Sequence, residues 1–305
     1  MKKRYRINQP FSDKITIAVI TLLLVAVVIS ILYPLYFILI ASFSDPVYTN
    51  AGQVWLTVKG GSLRAYEFVF RDTRIWTGYC NSLMYSFGFM ALSVVLTVLA
   101  AYPLSNHKLV GRRVFNALCI IPMYFSGGLI PTFIVVRNLG LVNNPLIIVL
   151  LGSLSSFNII IARTFFETSI PGELLESAAI DGCNQARTFW SIVLPLSKPI
   201  LAVIALYSFV GQWNSYFNAM VYLNKQQHYP LQLFLRQILL QSQTLSDSTA
   251  TAGSLTATVA QAEMQKLADT IKYAVILVST LPLLCVFPYF QRYFAQGTMV
   301  GAIKG

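Results

Sequence analysis

The sequence predicts an all-α integral membrane protein with six transmembrane helices and both termini cytoplasmic. Three observations carry that expectation. The 305-residue chain is 56% hydrophobic and only 11% charged, with a mean hydropathy of +0.64, whereas soluble domains carry about 25% charged residues. Six apolar runs reach the roughly 20 residues that a helix needs to cross the hydrocarbon core. The net charge of +11 gathers at the ends of those runs, which fits orientation in a membrane better than a nucleic-acid partner.

The elements follow in order. A cytoplasmic N-terminus, 1–14, begins MKKRYR. The first span, 15–41, is too long for the roughly 7–15-residue core of a cleavable signal, and no small-x-small site follows it. It therefore reads as a retained span, long enough to tilt or protrude. An outer loop, 44–77, comes next. Five further spans at 81–105, 114–136, 145–166, 199–222 and 271–290 make up a core over 81–290. That core includes a cytoplasmic loop at 167–198 and an outer loop at 223–269, and 291–305 forms a cytoplasmic tail. Counting Arg163 at the membrane edge, the cytoplasmic pieces hold 13 Lys/Arg against nine in the longer outer loops. Short pieces such as NHKLVGRR at 106–113 carry the density that sets orientation.

All eleven Asp and Glu residues lie outside the six spans. Arg163, Lys198 and Lys272 sit at span ends, where they can snorkel. Ion-coupled carriers and voltage sensors place ionisable groups inside the bilayer, so the energy for any transport is expected from elsewhere. Cys80, Cys119, Cys183 and Cys285 lack metal or redox spacing and read as buried or inert thiols. His107 and His228 share no motif. No metal site is expected, and no nucleophile–base set suggests a membrane enzyme. On the second span, Ser82, Ser86, Ser93, Thr97 and Ala101 share one face, and Gly152 and Ser156 form a small-xxx-small pair on the fourth. Such faces serve helix packing, with lining of a path as the alternative.

One polar stretch interrupts the apolar pattern: ESAAIDGCNQARTFWSIVLP at 176–195. Pro171 suits a first helical turn, and Glu173 to Asp181 are good helix formers. Gly182 suits the left-handed position after a helix. Asn184 can cap a second short helix whose apolar side is Phe189, Ile192 and Val193. Pro195 is expected to stop that helix and Pro199 to open the next span. Glu173 and Glu176 share a face, and Ser177-Ala178-Ala179 lets a partner come close. The result reads as a docking element, or as a surface hairpin whose acids merely favour a helix N-terminus.

The spacing E-x-A-x-x-x-G, nine residues, then I-x-L-P is met by Glu176, Ala178, Gly182, Ile192, Leu194 and Pro195. It resembles the EAA loop of ABC-importer permeases, the inner-membrane components of binding-protein-dependent transport systems. Ser177 stands where that pattern has Ala. Asp181 beside Gly182, together with WNSYFNAMVYL, YPLQLFLRQIL and QRYFAQGTMVGAIKG, is similar to the carbohydrate-uptake branch. Within it the likeness is to the maltose-type and oligosaccharide subgroup, including importers of acidic polysaccharide fragments.

The resemblance implies a type I ABC-importer permease fold and an oligosaccharide delivered by an extracytoplasmic sugar-binding protein. It implies alternating access driven by two cytoplasmic ABC ATPase subunits, and a second homologous permease completing a heterodimer in membrane lipid. Glu176, Ser177, Ala178, Asp181, Gly182, Ile192, Leu194 and Pro195 would couple to the ATPase. The chain has no G-x-x-x-x-G-K-[ST] loop, so ATP and Mg would be bound by the partner ATPase, with no cofactor here. The tail Gly297–Gly305 resembles one that reaches between the ATPase subunits, the alternative being a frayed terminus.

On the fifth span Tyr207, Gly211, Asn214 and Asn218 share a face that Tyr222 continues. Amides both donate and accept, and a polar stripe in a bilayer faces protein or a water-filled cavity. Asn158, with Ser155 and Ser156, can face the same cavity. These residues line a sugar path, or they make interhelical hydrogen bonds. Trp213 and Phe217 lie on another face and are expected to pack. The outer loop 223–269 contacts the binding protein or is a flexible linker. Nine basic against six acidic residues in the outer loops suit an acidic oligosaccharide or, equally, contacts with that protein. The competing function is an ion-coupled secondary transporter or channel working without an ATPase.

Overall fold

The computed structural model describes residues 11–249 and 271–291, which are helical with no strand among them. The helices are α1 (Phe11–Ser42), α2 (Pro46–Asn50), α3 (Arg64–Arg71), α4 (Thr73–Ser105), α5 (Arg112–Tyr124), α6 (Leu129–Asn138), α7 (Leu146–Leu150) and α8 (Ser156–Ser169). They continue with α9 (Gly172–Ile180), α10 (Gln185–Thr188), α11 (Leu194–Leu196), α12 (Lys198–Trp213), α13 (Phe217–Tyr222), α14 (Leu231–Thr249) and α15 (Ile271–Gln291). They fall into two compact units. One comprises 11–71, 238–249 and 271–278, and the other 72–237 and 279–291.

In the first unit α1 has 32 residues, about 48 Å at about 1.5 Å each. That exceeds the roughly 30 Å hydrocarbon core. From Ile15 to Tyr36 its apolar side chains are exposed, Phe37 and Ile38 are half-buried, and Ile40, Ala41 and Ser42 in the last turn are buried. The segment after it folds back on this turn. Asp45 N–H donates to the Lys59 carbonyl (3.1 Å) and Ser62 N–H to that of Phe43 (3.0 Å). The Tyr66 hydroxyl donates to Ser42 Oγ (2.7 Å), and its ring stacks on Phe43 (5.1 Å). The predicted outer loop 44–77 therefore carries α2, α3 and the first turn of α4.

The second unit is built on α4, against which α8 and α12 pack. Asp72 caps its start by accepting from Arg74 N–H (2.9 Å). The Arg74 guanidinium beside Asp72 holds the carboxyl below its ordinary range. The small face expected on this helix is real. Ser82, Ser86, Ser93, Thr97 and Ala101 are all buried, and Ser208 Oγ donates to Ser93 Oγ across the α4–α12 contact (2.9 Å). Packing is thus the role the structure gives them. The same helix grips the segment after α13. Asn81 Nδ2 donates to the carbonyls of Gln227 and Tyr229, Tyr85 Oη to that of His228, and Ser82 Oγ accepts from Leu231 N–H. Gly78 sits where a Cβ would lie 2.9 Å from the Phe234 ring and 3.1 Å from Leu231 Cα.

Three predicted spans are not continuous helices. The run 114–136 is α5 and α6, bent by 115° at 125–128, where Gly128 takes φ +78°. The run 145–166 is α7 and α8 around Gly152 at φ +83°, so Gly152 and Ser156 are not a pair on one helix. The run 199–222 is α12 and α13, interrupted at 214–216. Apolar composition measures solubility in lipid, whereas glycines and asparagines let the backbone leave the helix where other groups satisfy it. Three helices, α1, α4 and α15, are long and apolar enough to cross a membrane unbroken, and bent pairs raise the number to at most five among the described residues. The outer loop 223–269 likewise holds a helix, α14, of 19 residues, and its stretch 250–269 lies outside the described residues. So does the tail Gly297–Gly305. Cys80 and Cys285 are exposed rather than buried, and all four thiols are free.

The close approach at Gly78 is testable. Gly78→Ala forces either the Phe234 ring or the Leu231 backbone to move, and overpacking of this kind costs about 1–3 kcal/mol. The midpoint of thermal denaturation in detergent should fall, while Cys80→Ser on the exposed side should change stability by no more than about 0.5 kcal/mol and leave the midpoint near that of the wild type.

Candidate coupling loop and translocation path

The 167–198 loop is two short helices joined by a left-handed turn. Pro171 stands just outside α9, in extended conformation, rather than within its first turn. The end of α9 is closed twice: Cys183 N–H bonds to the Ala178 carbonyl (2.9 Å) and Gly182 N–H to that of Ala179 (3.1 Å). This nested pair requires a left-handed residue between the helices, and Gly182 supplies it at φ +74°. A Cβ there would meet nothing within 4 Å, so conformation alone demands glycine. Asn184 Oδ1 then accepts from Arg187 N–H (2.8 Å) and starts α10.

Pro195 does not stop the second helix. Residues Phe189–Val193 form a wide turn in which Leu194 N–H reaches back five residues to the Phe189 carbonyl. Pro195 follows inside α11. A proline in a regular helix removes one rung and pushes on the carbonyl four residues back. The wide turn opens the ladder just before it, so the chain stays helical. The break comes at Ser197, whose N–H and Oγ both bond to the Val193 carbonyl (3.0 and 2.6 Å). Lys198 and Pro199 then open α12 at 75° to the preceding helix.

This second helix is seated and the first projects. Phe189 and Val193 are buried in one cluster with Leu104, Phe166, Ile170 and Ile204, with Leu194 packed at its edge. The Tyr102 ring lies 4.9 Å from that of Phe189, and its hydroxyl donates to Gln185 Oε1 (3.2 Å). Ala178 is buried and Ile192 half-buried, whereas Glu173, Glu176, Ser177, Asp181 and Gly182 are exposed. Ile180 is 87% exposed. An aliphatic side chain in water at the tip, flanked by Glu176 and Asp181, is what a docking element presents. It was legible as the one large apolar residue next to the turn.

Sequence reasoning missed a charged cluster beside the loop. Glu167, near the end of α8, accepts from the Arg112 guanidinium, and the same oxygen lies 3.5 Å from Arg163 Nε. Arg163 Nη1 donates to Asn116 Oδ1 (2.6 Å), Arg112 Nε to the Leu104 carbonyl (2.8 Å), and Arg112 Nη1 meets His107 Nδ1 (3.0 Å). Arg163 is therefore engaged inside the protein rather than snorkelling. Its i, i+4 spacing to Glu167 was a readable signal.

The predicted path residues are only partly gathered. Tyr207 (56% exposed), Gly211 and Asn214 lie on an outward face of α12, although Asn214 Nδ2 turns back to the Val210 carbonyl (3.0 Å). The row then ends. Asn218 is half-buried on α13, and Tyr222 is buried and stacked on Phe133 (5.9 Å). Among the described residues no hydrogen bond links Asn158, half-buried on α8, to this row. Trp213 packs as expected: it is buried, parallel to Phe209, and donates to the Ser279 carbonyl (3.1 Å). Phe217 does not, being 46% exposed.

A protein-family profile described as "Binding-protein-dependent transport system inner membrane component" matches residues 93–300. The chain is 38% identical over 272 residues to Protein LplC of Bacillus subtilis (strain 168), covering 89% of each chain. It is 38% identical over 272 residues to the polygalacturonan/rhamnogalacturonan transport system permease protein YtcP of the same organism, covering 89% of this chain and 92% of that one. Among solved structures it resembles a bacterial ABC transporter involved in the import of the acidic polysaccharide alginate. There the TM-score is 0.82 at 32% identity, over 94% of this chain and 99% of the other.

The Glu167 cluster makes a prediction. Exposed ion pairs contribute about 0–1 kcal/mol, and breaking a buried one costs about 3–5 kcal/mol. These side chains are 18–23% exposed, so Glu167→Ala should cost about 1–3 kcal/mol. The fall in denaturation midpoint in detergent should be smaller for Glu167→Gln, which can still accept from Arg112.

Proposed function

The chain belongs to the family of binding-protein-dependent transport system inner membrane components, and on that premise we propose how it works within an importer. It is a transporter subunit of the ABC-importer type in the cytoplasmic membrane, not an enzyme. In the proposed arrangement it pairs with a second, homologous permease and crosses the membrane six times with both termini cytoplasmic. Two ATPase subunits dock on its 167–198 loop, and a sugar-binding protein delivers an oligosaccharide to the outer segments 44–77 and 223–269. The tail Gly297–Gly305 reaches between the ATPase subunits. Relatives that carry sugars or polysaccharides in their names support the substrate class.

The observation that carries the coupling role is the projecting tip from Glu176 to Gly182, held by the doubly closed turn while the second helix is packed under α4 and α12. Closure of the ATPase dimer around ATP would push this tip. Gly182 sets the angle between the two helices, so the push reaches Phe189 and Val193 rather than being absorbed in the turn. It then passes through the Ser197 break into α12 and tilts the path residues Tyr207, Gly211 and Asn214. The permease thereby shifts between outward- and inward-facing states, and only ligands that bind those states differently can drive the exchange. An ion-coupled carrier or channel finds no support among relatives that belong to binding-protein-dependent systems.

Charge reversal at Glu176 and Gly182→Val test the lever. A β-branched residue at positive φ costs about 1–2 kcal/mol and opens the turn. Both variants should assemble with the ATPase yet lose at least tenfold in sugar uptake per ATP hydrolysed in proteoliposomes. Ile180→Asp should weaken ATPase co-purification itself. Uptake and assembly at wild-type levels in all three would remove the docking assignment.

A further inference from the structure

We infer that Arg236 reads a carboxylate of an acidic oligosaccharide as the sugar passes the interruption between α12 and α13. This rests on the proposed role of the chain as an oligosaccharide permease. The position of Arg236 is set from α4. Leu231 N–H bonds to Ser82 Oγ, Asn81 and Tyr85 hold the carbonyls of Gln227, Tyr229 and His228, and Gly78 lets Phe234 close in. Helix α14 therefore leaves α4 at a fixed point. It carries Arg236 to the break, with the guanidinium carbon 4.5 Å over the Tyr216 ring and Nη1 3.5 Å from Met220 Sδ.

Among the described residues no carboxylate forms an ion pair with Arg236. Arg236 is half-buried, and the ion pairs among the described residues join Arg74 to Asp72 and Arg112 and Arg163 to Glu167. A ring face offsets only about 0.5–2 kcal/mol of the cost of a partly desolvated cation, and a thioether is a weak acceptor. A guanidinium carries five donors in a planar fork, and among the described residues it makes one hydrogen bond, to sulfur. That fork matches a carboxylate through two parallel bonds.

The neighbourhood suits a sugar. Asn214 and Phe217 are exposed on either side of Tyr216, and Asn218 follows. Amides serve hydroxyls, and an exposed aromatic ring serves the CH face of a pyranose. The ligand assigned here is a uronate unit in an oligosaccharide. The likenesses to a polygalacturonan/rhamnogalacturonan permease and to an importer of the acidic polysaccharide alginate agree with that chemistry. A neutral sugar would bring no charge to pair with the cation at the break.

The test uses the complete importer with its binding protein in proteoliposomes. Trimers of galacturonate and of mannuronate are offered beside their carboxyl-reduced counterparts, with the binding protein's affinity for each measured separately. The wild type should favour an acidic trimer. Arg236→Gln should raise its half-saturating concentration at least tenfold with little change in maximal rate. Uptake of the reduced trimer should stay within twofold of wild type, and Arg236→Lys, which keeps the charge but not the fork, should fall between. Wild-type handling of acidic trimers by Arg236→Gln would overturn the assignment. Equal losses on acidic and reduced trimers would instead assign Arg236 to a contact with a partner protein, and would overturn it too. A wild type that takes only reduced trimers removes the carboxylate reading and leaves the importer standing. Uptake of neither removes the oligosaccharide reading as well.

Discussion

The second unit depends on how closely other segments approach α4. Lipid tails are as apolar as leucine, so helices in a membrane gain little by hiding greasy side chains from one another. They associate where small residues allow backbones near, and where a few hydroxyls find partners. Gly78, Ser82, Ser86, Ser93, Thr97 and Ala101 make such a strip along α4. It receives Leu231 and Phe234 toward one end and Ser208 of α12 toward the middle. Toward the other end, Tyr102 and Leu104 meet Phe166 and Phe189. The helix that looks least functional in composition is thus the frame on which both the proposed coupling loop and the proposed sugar contact are placed.

Interruptions of the helices are the second organising feature. A backbone that leaves the helix in a membrane must be satisfied by protein or water. Here protein groups near and far along the chain supply the partners. Ser197 bonds back to Val193, and Asn143, in the left-handed region at φ +60°, donates from its N–H to the Tyr222 carbonyl (2.7 Å). Its side chain accepts from Asn224 N–H (3.1 Å). Each break also redirects a helix. The 75° turn at Ser197 carries the seated half of the loop into α12, and the interruption at 214–216 brings Tyr216 under Arg236. Motion delivered at the Ser197 break is therefore one helix away from the residues that meet the sugar in the proposed mechanism.

The loop itself combines stiffness with exposure. Two nested hydrogen bonds and one left-handed glycine leave the turn little freedom, while Ile180 stands in solvent. The Arg112–Glu167–Arg163 cluster ties the 106–113 connection to α8 beside it. In the proposed mechanism a lever transmits only if its base is firm, and this cluster together with the aromatic packing of Tyr102 would provide that firmness.

By itself the sequence determined what depends on neighbours a few residues apart. The apolar runs marked a membrane protein, the three-and-four spacing marked the buried face of α4, and Gly182 and Asn184 marked a turn and a cap. The motif around Glu176 marked the family. Each of these is a local rule, because hydrogen bonds in helices and caps close within about five residues. Tertiary structure decided the rest. Pro195 stayed inside a helix because a wide turn opened ahead of it, and Tyr222 left the polar row because Phe133 was there to stack on. Arg163 found Asn116, and Arg112 reached Glu167 from 55 residues away. Arg236 came to rest on a ring twenty positions earlier in the chain. Where a charge or an aromatic ring ends up in an apolar medium is set by which distant group can satisfy it, and no spacing rule along the chain records that.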